Sequence, residues 1–315
     1  MSTLLTPPDE AIDAEVAASI ASGRSVDGKG LAFQAALLLA LFLALAVLVW
    51  LLYSVVDGAL PVFQERSIGD FLSGKLSGSP ARFGVSQGIR GSIGILVFVA
   101  IISFPLGVAA AVYLEEYASD NLFSRSVNVL VRNLAGVPAV VYGLLGLFVF
   151  KGLLGDLTGG SSLMSAGLTM AILVLPVVVI TAAEAIRAVP QPLREAGFGL
   201  GATQWEVIRT QVLPYAAPGI LTGTVLSFAR ALGEAAPLLI IGTATGLLTT
   251  SGGSIMSQLQ SNYTALPMLV YVATKRPAEQ WLSLASASAL VLLVVLLVAN
   301  SAAILARNHF EKRRS

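Results

Sequence analysis

Apolar residues along this chain gather into six long runs, approximately Leu31–Val56, Ile93–Leu114, Val127–Phe150, Leu163–Ile186, Ala216–Ile241 and Leu282–Ala306. Each is long enough to cross a ~30 Å hydrocarbon core at 1.5 Å per residue. The pattern predicts an all-α polytopic membrane protein of six transmembrane helices. Its expected organisation is a cytoplasmic N-terminal tail over 1–30, a first transmembrane helix over 31–56 and an external loop over 57–88. A core of five further helices follows over 89–306, enclosing a cytoplasmic loop at 188–214, and a basic cytoplasmic tail closes the chain over 307–315. The first run does not read as a cleavable signal, because Asp9, Glu10, Asp13 and Glu15 precede it where a signal has a short basic start. Ile12, Val16 and Ile20 have helical spacing, but the acidic tail is expected to be disordered or a marginal surface helix.

Composition agrees with the pattern. Hydrophobic residues make up 56% and charged residues 12%, against about a quarter charged in soluble domains, and the mean hydropathy is +0.82. There is no cysteine and a single histidine, His309, in a charged tail; disulfides, thiolate metal sites and cysteine nucleophiles are therefore excluded. Gly28-Lys29 and Gly74-Lys75 are followed by Gly30 and Leu76, so no Walker A loop exists and no magnesium-binding Ser/Thr follows. If nucleotide drives this protein, another chain hydrolyses it. No basic run interleaved with aromatics points to nucleic acid.

An even number of spans puts both termini on one side. With that side as cytoplasm, eleven Lys and Arg lie inside and seven outside, the asymmetry expected of cytoplasmic termini. The outer connections are long, and Leu266-Pro267-Met268-Leu269-Val270-Tyr271 in the second is too short to span, as in an interfacial or re-entrant helix.

Arg230 and Glu234 stand inside the fifth run, at helical i,i+4 spacing. Charge at membrane depth is costly and more often marks a substrate or ion path than packing. Two readings are open: mutual neutralisation against another helix, or a planar guanidinium fork offered to an oxyanion, balanced by Glu234 when no anion is present. Lower-ranking candidates are Arg187, facing the path or snorkelling to the interface, and Tyr142, in the path or in an aromatic belt.

The loop between the fourth and fifth runs predicts two short helices. Pro192 suits a first turn, and Gly197, Gly199 and Gly201 are placed to end that helix with positive φ. Thr203-Gln204-Trp205-Glu206 fits a capping box opening the second helix, which Pro214 is expected to stop.

Here a known pattern emerges. Glu195-Ala196-Gly197, three residues, Gly201, nine residues, then Gln211-Val212-Leu213-Pro214 resembles the EAA loop of ABC-importer permeases, departing from it at Gly197 and Gln211. Val137-Pro138-Ala139-Val140-Val141-Tyr142-Gly143, Glu184-Ala185-Ile186-Arg187-Ala188-Val189-Pro190 and Ala229-Arg230-Ala231-Leu232-Gly233-Glu234-Ala235-Ala236-Pro237 resemble the phosphate-specific (Pst) importer family, A-type permease subunit. The resemblance covers roughly Gly84 to Ala306. It implies the type I ABC-importer permease fold in the bacterial inner membrane and import of inorganic phosphate. It further implies a C-type permease partner, two copies of an ATPase subunit that bind ATP and magnesium, and an external phosphate-binding protein. This chain itself would need no cofactor and have no catalytic site. By the same resemblance Glu195, Ala196, Gly197, Gly201, Leu213 and Pro214 couple to the ATPase. Another oxyanion, such as molybdate, sulfate or phosphonate, is an alternative cargo. A secondary anion transporter is a more distant alternative, since the repeated halves usual there are not evident.

Overall fold

The computed structural model describes residues 28–242 and 255–312. The tail up to residue 27, Gly246, Gly252 and Gly253 of the second outer connection, the last three residues and the His309 side chain lie outside the described residues. The chain divides into two units, Met1–Ser54 and Val55–Ser315. Helix α1 (Gly28–Glu65) supplies the described part of the first and opens the second. It has 38 residues, or about 57 Å of helix, and so extends well past the expected Leu31–Val56.

Among its described residues the second unit consists of helices joined by turns, with one isolated antiparallel bridge between Ser162 and Asn262. It continues through α2 (Ile68–Ser73), α3 (Ser86–Val112), α4 (Leu122–Ala135), α5 (Ala139–Leu145), α6 (Gly155–Thr158), α7 (Leu163–Arg187), α8 (Gln191–Gly199) and α9 (Gln204–Val207). The remaining helices are α10 (Leu213–Gly233), α11 (Ala236–Ile241), α12 (Ile255–Leu259), α13 (Leu266–Thr274) and α14 (Glu279–Lys312). Five helices are long and apolar enough to span, and a sixth span is obtained if the bent pair Leu122–Ala135 and Ala139–Leu153 is taken as one.

Three boundaries differ from the sequence expectation, each for a backbone reason. The third run is not one rod but is bent by 101° between α4 and α5. Pro138 caps the start of α5 in extended geometry (φ −56°, ψ 136°), and its missing N–H and ring prevent the preceding turn from continuing. The fifth run breaks after Gly233, because Pro237 cannot donate to the Gly233 carbonyl four residues earlier. Pro214, in contrast, does not stop the second loop helix: Gln204–Gly233 runs on as one 30-residue helix. A π-helical turn at Ile208–Val212 ends with only Leu213 between it and Pro214, so the proline falls where the regular i→i−4 ladder is already interrupted.

Packing is organised around α7, which lies against α3 and α10 along its length. At the end carrying the 188–214 loop, Ala111, Ile186, Val207, Ile208 and Val212 form a buried cluster. A middle cluster joins Ile95 and Val99 of α3, Met170 and Val174 of α7, Tyr142 of α5, Ala231 of α10 and Leu238 of α11. At the opposite end Phe71, Phe83, Leu266, Leu269 and Trp281 make a cap, in which Trp281 meets Phe83 edge-on at 5.4 Å and the Arg276 guanidinium at 3.8 Å. The segment expected as a plain loop over 57–88 is thus largely structured: it contains the end of α1, α2 and a 3-10 turn at Pro80–Arg82. Between spans, where lipid removes the hydrophobic drive, shape and polar contacts hold helices together; the Ser103 hydroxyl donates to the Ala171 carbonyl across α3 and α7 at 2.7 Å.

Candidate functional site

The broken fifth span sets the geometry of the Arg230–Glu234 pair. Arg230 sits in the last turn of α10, and Glu234 is the residue after the helix, in extended backbone at φ −81°, ψ 112°. The two therefore do not share a helix face, contrary to the i,i+4 reading; they meet across the break. Arg230 Nε lies 3.4 Å from Glu234 Oε1, with side chains 41% and 26% exposed. It is a single-point contact, not a bidentate fork, and it is the one polar contact Arg230 makes among the described residues. Geometry of this kind leaves donors of the planar guanidinium free for an oxyanion.

The bent third span packs directly on the break. A Cβ at Gly143 would stand 2.8 Å from the Pro237 Cα and 2.9 Å from the Ile240 Cδ1, so only glycine lets α5 approach α11 this closely. Tyr142, one residue before it, is buried in the middle cluster beside Ala231. Its hydroxyl donates to the Leu134 carbonyl at 2.9 Å, tying α5 back to the end of α4. Tyr142 thus ties the two halves of the bent third span together. At the far end of α11, Lys151 Nζ and Ser161 Oγ both donate to the Ile241 carbonyl, at 2.9 and 3.0 Å. Sequence reasoning passed over both because their partner is a backbone carbonyl ninety and eighty residues away.

Arg187 lies far from this pair in the fold, at the loop end of α7. Its guanidinium is engaged bidentately by Glu115, with Nε to Oε2 at 3.1 Å. Glu115 and its neighbour Glu116 lie on a π-helical turn, Tyr113–Tyr117, that extends α3. Glu116 in turn receives two bonds from Arg194 of α8, at 3.2 and 2.9 Å. Arg194 also donates to the carbonyls of Val189 (2.6 Å) and Ile186 (2.9 Å), and Gln204 donates to the Glu116 carbonyl. Glu116 therefore holds both arms of the 188–214 loop, Arg194 by its carboxylate and Gln204 by its carbonyl, while Glu115 holds the end of α7. The sequence signal was Glu115-Glu116 at the end of an apolar run, which reads equally well as a solvated helix end.

Within the loop the local expectations can be placed one by one. Pro192 is in the first turn of α8. The capping box is formed, with the Thr203 hydroxyl accepting from the Glu206 N–H and the Glu206 carboxylate accepting from the Thr203 N–H. Gly201 has φ +82°, and a Cβ placed there would meet no atom within 4 Å, so it supplies the left-handed turn between α8 and α9. Gly197 and Gly199 do not have positive φ; Gly197 is buried instead, where a Cβ would meet Val207 Cγ2 at 2.8 Å. Glu195 and Ala196 are exposed, Leu213 and Pro214 half-buried. Around Glu195, Phe198 (50%), Leu200 (90%) and Trp205 (53%) present apolar surface at the tip.

No group of three or more His, Cys, Asp and Glu that could hold a metal ion occurs among the described residues. What the arrangement offers is a partly exposed cation at a helix break and a separately clamped loop. A helical chain with five or six candidate spans and these features is a polytopic membrane protein.

Comparison with known proteins agrees. Residues 103–315 match the family of binding-protein-dependent transport system inner membrane components, and the chain belongs to that family. It is 35% identical over 274 residues, 86% of each chain, to the phosphate transport system permease protein PstA 1 of Mycobacterium tuberculosis. It is 37% identical over 238 residues to PstA of Mycobacterium leprae, covering 75% of this chain and 74% of that one. Among solved structures, a chain of a bacterial ABC transporter involved in alginate import superposes with TM-score 0.59 at 16% identity, over 87% of this chain and 95% of that one. A chain of the MetNI methionine ABC transporter superposes with TM-score 0.56 at 16% identity, over 72% and 97%.

The clamp generates a prediction. The Arg194 and Glu116 side chains are only 15% and 10% exposed, so removing one partner strands the other's charge, at about 3–5 kcal/mol. Arg194→Leu is expected to lower the thermal midpoint of the detergent-solubilised protein clearly, and Arg194→Leu with Glu116→Leu to recover most of the loss. Equal loss in the single and double variants would show that the pair is not the coupled unit described.

Proposed function

We propose that this chain is a permease subunit of an ATP-driven importer of inorganic phosphate in the bacterial cytoplasmic membrane, with both termini in the cytoplasm. It forms half of the translocation path and a C-type permease forms the other half. Two copies of an ATPase subunit, which bind ATP and magnesium, engage the 188–214 loops, and an external phosphate-binding protein delivers the anion. The observation that carries the reading is Arg230, a permanently charged guanidinium at a helix break, in a chain whose relatives are phosphate transport system permeases. The molybdate, sulfate and phosphonate readings have no observation of their own.

The chemistry follows from the site. With no anion present, Glu234 balances Arg230 through its single contact, so the empty path carries no bare cation. An arriving phosphate, with its planar pairs of oxygens, competes for the donors that Glu234 leaves open. A monoprotonated phosphate can also donate to the Glu234 carboxylate, which sulfate at neutral pH cannot. At the other end of the protein, Glu195 and the apolar tip of Phe198, Leu200 and Trp205 suit insertion into a partner's cleft. Movement there reaches α3 through Glu116 and reaches α10 directly, because the second loop helix is continuous with the span.

Arg230→Gln is expected to lower phosphate uptake about ten- to a hundredfold, the scale of a charge-assisted hydrogen bond, with membrane insertion and complex assembly retained. Near-normal uptake by a well-expressed Arg230→Gln protein would return the pair to a packing role. Glu234→Gln should be milder in rate but should narrow the preference for phosphate over sulfate in competition assays; an unchanged preference removes the proton-donor argument.

Gly201→Asp tests the loop. Aspartate tolerates positive φ better than most residues and open space surrounds the position, so the loop should still fold. The added charge enters the surface meant for the ATPase. Loss of ATPase pull-down together with loss of uptake is the expected result, and normal values for both would show that the loop is not the coupling element.

A further inference from the structure

Helix α11 has six residues, Ala236–Ile241, and helices shorter than about 12–15 residues are marginal on their own. Its position is therefore decided by what grips its two ends. At its start the glycine at 143 lets α5 close on Pro237. Its last turn closes with the Gly242 N–H on the Leu238 carbonyl at 3.2 Å. The Ile241 carbonyl beyond it takes Lys151 Nζ at 2.9 Å and Ser161 Oγ at 3.0 Å. Lys151 belongs to the π-helical run Gly146–Leu153 that continues α5. At the head of that run, a Cβ on Gly146 would stand 2.9 Å from Ile241 Cδ1. The second half of the third span thus holds α11 at both ends. Lys151 is half-buried and has no ion pair among the described residues. Its charge is spent on the carbonyl end of α11, the negative end of the helix, which makes it the strongest of these ties.

Two non-helical residues join this assembly to α10: Glu234 at φ −81°, ψ 112° and Ala235 at φ −92°, ψ −29°. Arg230 rides on the continuous helix Gln204–Gly233, which begins in the loop. Glu234 is separated from α11 by Ala235 alone. We propose that Lys151 is a positioning residue for the Arg230–Glu234 pair. By fixing α11 to the third span it holds the Glu234 carboxylate in place while movement of the loop carries Arg230 relative to it. The single contact at 3.4 Å is then where loop movement changes how many guanidinium donors face the anion. Slack at Lys151 lets Glu234 follow Arg230, and the pair stays closed. The inference rests on the transport reading of Arg230. It goes beyond that reading by assigning control of the pair to a residue whose polar contact among the described residues is a backbone carbonyl at the far end of α11.

The test uses the complete complex in proteoliposomes, driven by phosphate-loaded binding protein. The readout is ATP hydrolysed per phosphate accumulated, a ratio that does not depend on how much of the protein is folded. Lys151→Met keeps the length of the side chain and removes both donor and charge. The ratio is expected to rise by up to about tenfold, the weight of one charge-assisted hydrogen bond. The preference for phosphate over sulfate should narrow with it, as in Glu234→Gln. Lys151→Arg should restore both. Ser161→Ala, which takes only the neutral donor from the same carbonyl, should raise the ratio less, and it decides the matter if Lys151→Met does not assemble. Uptake and hydrolysis that fall together at an unchanged ratio would make Lys151 a helix cap with a purely structural role and overturn the proposal. So would Lys151→Arg behaving like Lys151→Met. Impaired uptake by Arg230→Gln beside an unchanged ratio in Lys151→Met sinks this inference alone, whereas normal uptake by Arg230→Gln sinks the transport reading and this inference with it.

Discussion

The hydrogen bond that Pro237 cannot make to Gly233 is the constraint on which the rest of the site depends. It ends α10 one residue before Glu234 and restarts the helix at Ala236. Without the break, Arg230 and Glu234 would lie along one helical face, free to neutralise each other in the less favourable Arg-before-Glu order. With it, the carboxylate leaves the helix and touches the guanidinium at one point. Broken spans are tolerated at membrane depth where protein or a water-filled path surrounds the freed backbone, and here the surrounding protein is a second broken span. The bend at Pro138 turns α5 onto α11, and the glycine at 143 admits the contact. Two prolines and one glycine therefore position the one cation–anion pair that the fifth span places inside the bundle.

The opposite end is held by charge. Glu115 and Glu116 occupy consecutive positions on a π turn, and each takes a different arginine of the neighbouring α7–α8 segment. The Arg194–Glu116 pair is largely buried, and a buried ion pair adds little net stability compared with apolar packing but is costly to break singly. That property suits a joint which must keep the loop and α3 moving as one body. The continuous helix from Gln204 to Gly233 gives a second, stiffer connection from the loop to the site.

Much of this was legible in the sequence, and the limits of what was legible are physical. The spans, the capping box at Thr203–Glu206 and the positive φ at Gly201 follow from local chemistry: hydropathy, a side chain reaching three residues, a missing Cβ. Proline was harder to read. Pro138 and Pro237 break helices, Pro214 and Pro105 do not, and the difference depends on π turns and tertiary packing that no local rule reports. The roles of Tyr142, Arg187 and Lys151 were hidden for a related reason. Each is fixed by a partner on another element, a carbonyl of Leu134, the Glu115 carboxylate and a carbonyl of Ile241, and composition cannot encode such pairings. The EAA-like loop was readable because its spacing is contiguous; the glutamate that clamps it, Glu116, lies some eighty residues upstream.

The central claim is that the path is selective for phosphate and is driven through this chain's loop by a separate ATPase. The most direct measurement is ATP hydrolysis by the complete complex in proteoliposomes, titrated with external binding protein loaded in turn with phosphate, sulfate or molybdate. The account predicts that phosphate stimulates hydrolysis and accumulates inside the vesicles in step with it, while the other anions leave the basal rate unchanged. Stimulation by sulfate or molybdate equal to that by phosphate, or phosphate accumulation without any ATP hydrolysis, would contradict it.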